Sequence, residues 1–336
     1  MDEMNNDIKR TLGQNPGDFA TKTVYHYCSV ETFEKIIRNS TIRATNIRKS
    51  NDYTEVINTI DVFMDAIQLA LDKYAGEHPE DAVFNEFREG MDVETLVQST
   101  IDNPSCIYYC TCFSEAKDLL SQWRGYADDG RGVAIGFDDS YFKRATDPRH
   151  FKYWPIIYDP LKQKKKLIQY SFGEICDVHN RKNGVVTCSD YENVFNRILN
   201  AMVYNTVFCK NGAFAEERER RLVYYPFQNT RNLKNRNKSS HMSAYQMYYD
   251  KMGETSQYTS EVNGIQRGQI EFMVRDNEIV SYVDLSFKNI LPYCIKEIVL
   301  GPKNKMMEDM DLRLFLHMHG IDLSSTKITH SESTYR

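Results

Sequence analysis

The pattern of apolar and polar positions in this chain of 336 residues predicts short strands and amphipathic helices in mixed order. Residues 23–29 (TVYHYCS) alternate between the two classes, which is typical of a strand, and Ser29 then caps a predicted helix that ends near Arg38. A longer helical pattern begins at Val56 and ends before Gly76. Further strands are predicted over residues 41–46, 105–115, 154–159, 270–274, 280–284, 295–300 and 327–330.

These elements follow one another without an internal repeat or a clear linker, which favours one domain. The sequence therefore predicts a single α+β domain over residues 23–336, with mixed, largely antiparallel sheets and flanking helices. Residues 1–22 are expected to form a flexible polar lead, and residues 56–103 a helical insertion. Residues 228–268 form a second, polar insertion, and loops of this length are usually functional or disordered. The basic start of that insertion, at 231–238, could contact the phosphates of a macromolecular partner.

Composition narrows the class of protein. The chain has 42 basic and 47 acidic residues, a net charge of -5, so any binding of nucleic acid must be local. The cysteines form no C-x-x-C pair, and Cys106, Cys110 and Cys112 lack a second ligand pair at zinc spacing, so reduced thiols and no metal site are expected. No apolar run is long enough for a membrane span or a signal peptide, which predicts a cytoplasmic protein without a membrane partner.

The densest group of unlike polar residues lies between residues 110 and 137. A predicted strand ending in Ser114 is followed there by an acidic turn, a helix with Trp123, Arg124 and Tyr126, and a Gly-rich turn into a second strand. The planar guanidinium of Arg124 is suited to a phosphate or a carboxylate. This combination is typical of a binding site.

A second candidate is the charged run FAEERERRL, which contains the E-x-E pair Glu217 and Glu219. On an extended backbone the two carboxylates point to one side and could serve one reacting centre. On a helical backbone they diverge by about 200°. With Arg218, Arg220 and Arg221 beside them, they could equally form a salt-bridged surface edge.

Several motifs in one order resemble the DUF2971 family of bacterial and phage-defence-associated proteins. The resemblance covers residues 25–336, apart from the two insertions. Its motifs are YHYCS (25–29), NDYTE (51–55), CFSE (112–115), WRGYADDGRGVAIGF (123–137), K-x3-F-x2-E-x-E-x-R (210–221), IVLGPK (298–303) and SESTYR (331–336).

The chain also resembles the ADP-ribosyltransferase fold, in which a His or Arg on the first strand, a serine on a later strand and a glutamate on another strand form the site. His26, Ser114 and Glu219 occur in that order. The resemblance implies an ADP-ribosyltransferase that consumes NAD and modifies a nucleic acid or protein, as a toxin or effector of antiphage defence. Glu219, with Glu217, would stabilise the positive charge that develops on the ribose when the nicotinamide bond breaks.

The same resemblance implies roles for the remaining candidates. His26 would hold a ribose hydroxyl, and Ser114 would support the glutamate or the ribose. Tyr27 or Tyr126 would stack on the nicotinamide, Arg124 would meet the pyrophosphate, and Trp123 would complete the wall of the pocket.

Two other classes of function fit the residues. One is a non-catalytic module that senses a nucleotide or a phage component. The other is a metal-dependent nuclease in which carboxylates surround a divalent ion. The acidic residues for that reaction would be Asp118, Asp128, Asp129 and Glu219.

Overall fold

The computed structural model describes residues 20–49, 53–101, 107–146, 151–181, 185–226, 261–262, 264–306 and 310–335. The chain forms two compact units. One contains Asn51–Cys106 and Ile157–Phe214, and the other contains Phe19–Ser50, Ile107–Ile156 and Ala215–Arg336. The prediction of one domain with a helical insertion stays a prediction, because spatial grouping does not show whether either unit folds alone. Most of the predicted lead at 1–22 and residues 228–260 of the polar insertion lie outside the described residues. The predicted insertion reaches residue 268, but a strand already begins at Ile265.

Helices and strands interleave along the chain. The helices are α1 (Val30–Asn39), α2 (Tyr53–Glu77), α3 (Ala82–Glu89), α4 (Val93–Ile101), α5 (Leu120–Tyr126), α6 (Ser140–Arg144), α7 (Pro160–Arg181), α8 (Cys188–Thr206), α9 (Leu291–Cys294) and α10 (Met310–Met318). The strands are β1 (Thr23–Cys28), β2 (Thr41–Asn46), β3 (Tyr109–Ser114), β4 (Val133–Asp138), β5 (Phe151–Pro155), β6 (Glu219–Tyr224), β7 (Glu261–Val262), β8 (Ile265–Arg275), β9 (Glu278–Ser286), β10 (Ile295–Leu300) and β11 (Lys327–His330). Among the helices so described, none is long and apolar enough to cross a membrane.

The helical unit is built from α2, α3, α4, α7 and α8. Its core includes Phe63, Ile67, Tyr74 and Phe84, which are all buried. Asp81 caps α3 by accepting a hydrogen bond from the backbone N–H of Phe84 at 2.9 Å. The same carboxylate accepts the hydroxyl hydrogen of Tyr191 from α8, so one side chain caps one helix and ties it to a second.

The other unit contains an open sheet in the order β11-β10-β4-β1-β3-β2-β9-β8-β7, with β6 on β3 and β5 on β6. All of these strand pairs are antiparallel except β10 with β11. The prediction of a mixed fold with a largely antiparallel sheet is therefore confirmed.

The sheet branches at β3. One edge of β3 pairs with β1 at Ser114 and with β2 at Tyr109 and Cys110, and the other edge pairs with β6 over its whole length. β1 and β2 thus share one edge of a single strand and must separate between these two points. Because side chains alternate across a strand, Tyr109 and Phe113 enter the main hydrophobic core, while Ser114 lies on the opposite face.

Local signals explain most element boundaries. The Ser29 hydroxyl accepts a hydrogen bond from the N–H of Thr32 at 3.1 Å, as a helix cap should. The predicted strands at 41–46, 295–300 and 327–330 are confirmed. The strand predicted at 154–159 is wrong, because the strand ends at Pro155, which has no N–H to donate to a neighbouring strand, and a helix begins at Pro160.

Two glycines of the Gly-rich turn differ in their surroundings. A Cβ on Gly132 would lie 2.1 Å from the carbonyl oxygen of Cys28 and 2.8 Å from that of Ala127. Nothing lies within 4 Å of a Cβ on Gly125, which is inside α5. Gly132 is therefore required by a close approach of backbones, whereas Gly125 is not.

We expect Gly132→Ala to lower the free energy of unfolding by about 3 kcal/mol or more, because backbone atoms would have to move apart. Gly125→Ala is the matched control, and it should change that free energy by less than about 1 kcal/mol, in the stabilising direction. Urea unfolding followed by circular dichroism measures both. Equal unfolding midpoints for the two variants would contradict this account of the turn.

Candidate functional site

Three neighbouring strands bring Glu219, Ser114 and Tyr25 into one row. Ser114 is the cross-strand partner of Glu219 on β6 and of Tyr25 on β1. Cross-strand partners point to the same face of a sheet, so these three side chains share a face. His26 follows Tyr25 on β1 and therefore points to the opposite face. The structure brings two of the three main candidates together and separates the third from them.

Ser114 fixes the backbone that leads into Glu219. Its hydroxyl donates a hydrogen bond to the carbonyl oxygen of Glu217 at 2.6 Å and accepts one from the N–H of Ala116 at 3.0 Å. The N–H of Glu115 donates to the carbonyl oxygen of Arg218 at 3.0 Å. These hydrogen bonds thus join, in a fixed register, two chain segments that are about a hundred residues apart in sequence.

The two glutamates of the E-x-E pair do not lie on one strand. Glu217 ends a short 3-10 helix, Gly212–Glu217, and Arg218 has a φ of 45°, so the extended segment begins only at Glu219. The alternative in which both carboxylates point to one side of an extended backbone is therefore wrong. Its physical reason is the left-handed turn at Arg218, which breaks the alternation between the two residues.

Glu219 forms a buried ion pair with Arg221, two residues further along β6. The Nε of Arg221 donates to Oε1 of Glu219 at 2.6 Å, and a terminal nitrogen lies 3.3 Å from Oε2. The exposed fractions of Glu219 and Arg221 are 6% and 1%. Burial lowers the pKa of Arg221, but the charge of Glu219 outweighs it, and the pKa lies well above its ordinary value. The salt bridge considered from the sequence exists, but it lies in the interior.

Cys112 lies across from Arg221 on β3. A hydrogen bond with Cys110, burial and the negative charge of Glu219 raise the pKa of the Cys112 thiol well above its ordinary value. A thiol with a raised pKa stays protonated and is a weak nucleophile at neutral pH. Cys112 therefore acts as a neutral neighbour of the ion pair.

His26 lies between β1 and β3 where these strands begin to separate. Its Nδ1 is 3.0 Å from the carbonyl oxygen of Cys112, and its ring centroid is 5.8 Å from that of Phe113. Burial lowers the pKa of His26 below its ordinary value, although the hydrogen bond to Cys112 opposes this shift. The neutral imidazole of His26 thus makes a hydrogen bond to β3 at a point where the backbone of β1 does not.

The tyrosines on either side of His26 hold the loop that follows Ser114. The hydroxyl of Tyr27 donates to the carbonyl oxygen of Ala116 at 2.8 Å and accepts from the N–H of Leu119 at 3.2 Å. The hydroxyl of Tyr25 donates to Glu297 at 3.0 Å. Its ring passes over Gly136, where a Cβ would approach it to 3.0 Å. The buried Tyr27 ring contacts Trp123 edge to face, with centroids 4.8 Å apart.

A carboxylate that the sequence did not single out, Glu115, forms an ion cluster on the other side of β6. It accepts hydrogen bonds from the ammonium of Lys22 at 2.7 Å and from Nε of the buried Arg220 at 2.5 Å. Burial raises the pKa of Glu115, but these cations outweigh it, and the pKa is lowered overall. Strand alternation in β6 could have indicated this, since it sends Arg220 to the face opposite Glu219 and Arg221.

The predicted Trp123-Arg124-Tyr126 wall does not form one surface. Trp123 is fully buried, while Arg124 is exposed and Tyr126 is 46% exposed. All three lie on α5, which presents one side to the hydrophobic cluster of Tyr25, Tyr27 and Ala134 and the other to solvent. Arg124 and Tyr126 remain accessible to a ligand, whereas Trp123 packs in the core.

Comparison with known proteins gives one match. The model of a family described as a protein of unknown function, DUF2971, matches residues 122–222. The match shows that this part of the chain is similar to that family. It confirms the family resemblance there, and the motifs before residue 122 and after residue 222 remain resemblances. Searches of curated proteins and of solved structures found no match.

Two aspartates on either side of α5, Asp118 and Asp129, hold residues 331–335. Asp118 accepts hydrogen bonds from Nε1 of Trp123 at 2.5 Å, from the hydroxyl of Ser331 at 2.6 Å and from the N–H of Glu332 at 2.7 Å. Asp129 accepts from Nζ of Lys303 at 2.8 Å and from the hydroxyl of Tyr335 at 2.7 Å. The motifs WRGYADDGRG, LGPK and SESTY thus meet in space.

The contacts of these aspartates can be compared with the carboxylate cluster that a metal-dependent nuclease requires. Asp128 pairs with Arg131 at 3.0 Å, and Asp118 and Asp129 are engaged as described. Within the part of the chain that the structure describes, no group of three or more His, Cys, Asp or Glu side chains is arranged to hold a metal ion. Asp118 and Asp129 tie chain segments together, whereas Asp128 forms a local ion pair.

We expect Asp118→Asn to lower the free energy of unfolding by about 1–3 kcal/mol at pH 7, because charge-assisted hydrogen bonds are lost. Burial raises the pKa of Asp118, but the hydrogen bonds from Ser331, Trp123 and Glu332 outweigh it and lower the pKa overall. The stabilisation is therefore present above the unfolded pKa of about 4 and is lost as pH falls through the lower folded pKa.

Urea unfolding at a series of pH values, followed by circular dichroism, measures the difference between wild type and Asp118→Asn. The difference should shrink as the pH falls below about 4, because the wild-type carboxylate then becomes protonated. Asp128→Asn is the control, because its ion pair with Arg131 is exposed to solvent and contributes little to stability. A difference that does not depend on pH would rule out the charged hydrogen bonds as its cause.

Proposed function

We propose that this protein transfers ADP-ribose from NAD to a macromolecular acceptor, with Glu219 as the catalytic carboxylate. The observation that carries the proposal is the pairing of Ser114 with Glu219 on adjacent strands, where the serine hydroxyl fixes the turn before the glutamate. The strands that bear His26, Ser114 and Glu219 are also neighbours in the sheet. That order of strands supports an ADP-ribosyltransferase-like fold.

The proposed reaction needs a negative charge beside the ribose. The bond between C1′ of the ribose and the nicotinamide nitrogen breaks, and its electron pair leaves with neutral nicotinamide. A nucleophilic oxygen or nitrogen of the acceptor forms the new bond to C1′ and releases its proton to solvent. Positive charge on the ribose is greatest between these events, and a fixed carboxylate stabilises it most at that stage.

The ion pair with Arg221 must open before Glu219 can contact NAD. Both carboxylate oxygens contact Arg221, and Glu219 is only 6% exposed. NAD can approach the carboxylate only if neighbouring groups move and one oxygen is released. Arg221 then keeps Glu219 ionised, and Ser114 serves as a positioning residue.

The other predicted roles receive unequal support. Exposed Arg124 is suited to the pyrophosphate of NAD, and exposed Tyr126 to stacking on the nicotinamide. Tyr27 is buried and its hydroxyl is already bonded to the loop at Ala116 and Leu119. His26 points away from Glu219, so we do not assign the ribose contact to it. The carboxylate of Glu217, which precedes the left-handed turn, has no assigned role either.

The acceptor class, nucleic acid or protein, and the role as a toxin or effector of antiphage defence follow from the family resemblance. The net charge of -5 requires any nucleic-acid contact to be confined to a local basic surface. Toxicity on expression that is relieved by Glu219→Gln would support the effector role.

A second candidate function is a non-catalytic module that binds a nucleotide. The closed Glu219–Arg221 pair favours it, because a buried ion pair of this geometry can also serve structure alone. NAD would then raise the thermal unfolding temperature without being consumed.

We expect Glu219→Gln to reduce nicotinamide release from NAD by about 100-fold or more, because it removes the charge that stabilises the transition state. The assay incubates purified protein with NAD and cell extract and quantifies nicotinamide. Glu216→Gln is the matched control, since this exposed glutamate belongs to the same E-E-x-E run and should retain activity.

Loss of one partner from a buried ion pair can also unfold a protein. The double variant Glu219→Gln/Arg221→Gln removes both charges and keeps amide side chains of similar size, so it should fold and be inactive. Circular dichroism confirms folding. NAD that is unchanged by wild type, in the presence of every extract tested, would overturn the enzymatic proposal.

A further inference from the structure

Among the residues that the structure describes, the outer edge of β8 has no strand partner over most of its length. On its inner side β8 pairs with β9 from Gln266 to Arg275. On its outer side β7 covers only Ile265 and Gln266. No other strand among the described residues pairs with that outer side. An edge strand of this length presents unpaired N–H and C=O groups that recruit another strand.

The hairpin turn indicates which backbone groups face outward. Asp276 and Asn277 have φ values of 51° and 64°, and they form a two-residue turn that closes on Arg275 and Glu278. In such a hairpin the closing pair exchanges hydrogen bonds, so its backbone groups face β9. Alternation then directs the N–H and C=O of Phe272 and Val274 to the open edge.

Apolar side chains stand beside this edge. Phe272, Val274 and Ile279 are 67%, 78% and 72% exposed. Phe272 and Val274 are two residues apart on one strand, and Ile279 is the cross-strand partner of Val274, so all three share a face. Three large apolar residues exposed together form a patch that is typical of an interaction surface.

We propose that a second copy of this chain binds here, with β8 pairing antiparallel to β8 of the partner about a two-fold axis at Met273. A two-fold axis perpendicular to the sheet makes two identical strands antiparallel. In this register Phe272 lies opposite the partner's Val274, and both have outward-facing backbone groups. The two sheets then continue as one.

The charged side chains favour this register over registers shifted along the strand. On the face opposite the apolar patch, Glu271 lies across from the partner's Arg275, and Arg275 across from the partner's Glu271. A register centred on Glu271 would instead place two glutamates opposite each other, which is unfavourable. A register centred on Phe272 would place Glu271 opposite the partner's Met273 and form no charge pair.

The two charged residues are available at the surface. Glu271 is exposed and accepts one hydrogen bond, from the hydroxyl of Tyr282 at 2.6 Å. The guanidinium of Arg275 donates to the carbonyl oxygen of Lys49, and its side chain is 38% exposed. On the other face Ile279, Val274 and the partner's Phe272 form a continuous apolar row, so the pairing brings the two patches side by side.

Charge variants test the register directly. Sedimentation equilibrium of the full chain should show a dimer for wild type. Glu271→Arg and Arg275→Glu should each raise the dissociation constant of the dimer by about tenfold or more, because each places like charges at both contacts. An equimolar mixture of the two variants restores opposite charges and should form a heterodimer. The double variant Glu271→Arg/Arg275→Glu should dimerise again.

Phe272→Ser provides a second measurement that does not depend on charge, and it should also weaken the dimer. A wild-type chain that stays monomeric would overturn the proposal, because the edge is then left open or is covered within one chain. A dimer that both single-charge variants leave intact would overturn it as well, because the interface then lies elsewhere.

Discussion

The branching of the sheet at β3 is the constraint on which the rest of the site depends. One strand hydrogen-bonds to β6 along one edge and must share its other edge between β1 and β2. Backbone groups at the branch point cannot all find a strand partner, and buried backbone groups without partners are costly. Side chains therefore complete the hydrogen bonding there. A ring nitrogen of His26 hydrogen-bonds with the carbonyl oxygen of Cys112, and the hydroxyl of Ser114 donates to the carbonyl oxygen of Glu217.

Buried charge follows from the same geometry. The run Glu219-Arg220-Arg221 lies on one strand, so its members alternate between two faces. Glu219 and Arg221 pair on one face, while Arg220 reaches Glu115 on the other. Removing either partner of such a pair leaves an uncompensated charge in the interior, which costs several kcal/mol. Arg220 thereby ties β6 to the loop after Ser114, and Arg221 fixes the side chain of Glu219.

The polar segment from Asp118 to Gly132 contributes mainly to architecture. Its tryptophan and aspartates hold the loop after β3 and residues 331–335, and Gly132 allows two backbones to touch. The group of polar residues that looks like a site in the sequence is thus largely a connection between chain segments. Arg124 and Tyr126 are among its exposed members.

The sequence by itself determined most of the strands and helices and the cap at Ser29, because these depend on side-chain alternation, helical spacing and capping residues within a few positions. β2, β10 and β11 were predicted with their observed bounds. The sequence also indicated Ser114 and Glu219, although not that they are partners. Where local signals conflict, as at Pro155, the predicted boundary moved by several residues.

Only the tertiary structure decided which residues meet. The pairing of β3 with β6 joins positions more than a hundred residues apart, and no local pattern specifies that register. The sheet places Glu219 on the same face as Ser114 and His26 on the opposite face. Between the two glutamates, Arg218 adopts a left-handed backbone conformation. These outcomes follow from long-range hydrogen bonding and from the cost of burying unpaired charge, which depend on the assembled sheet and not on neighbours in the chain.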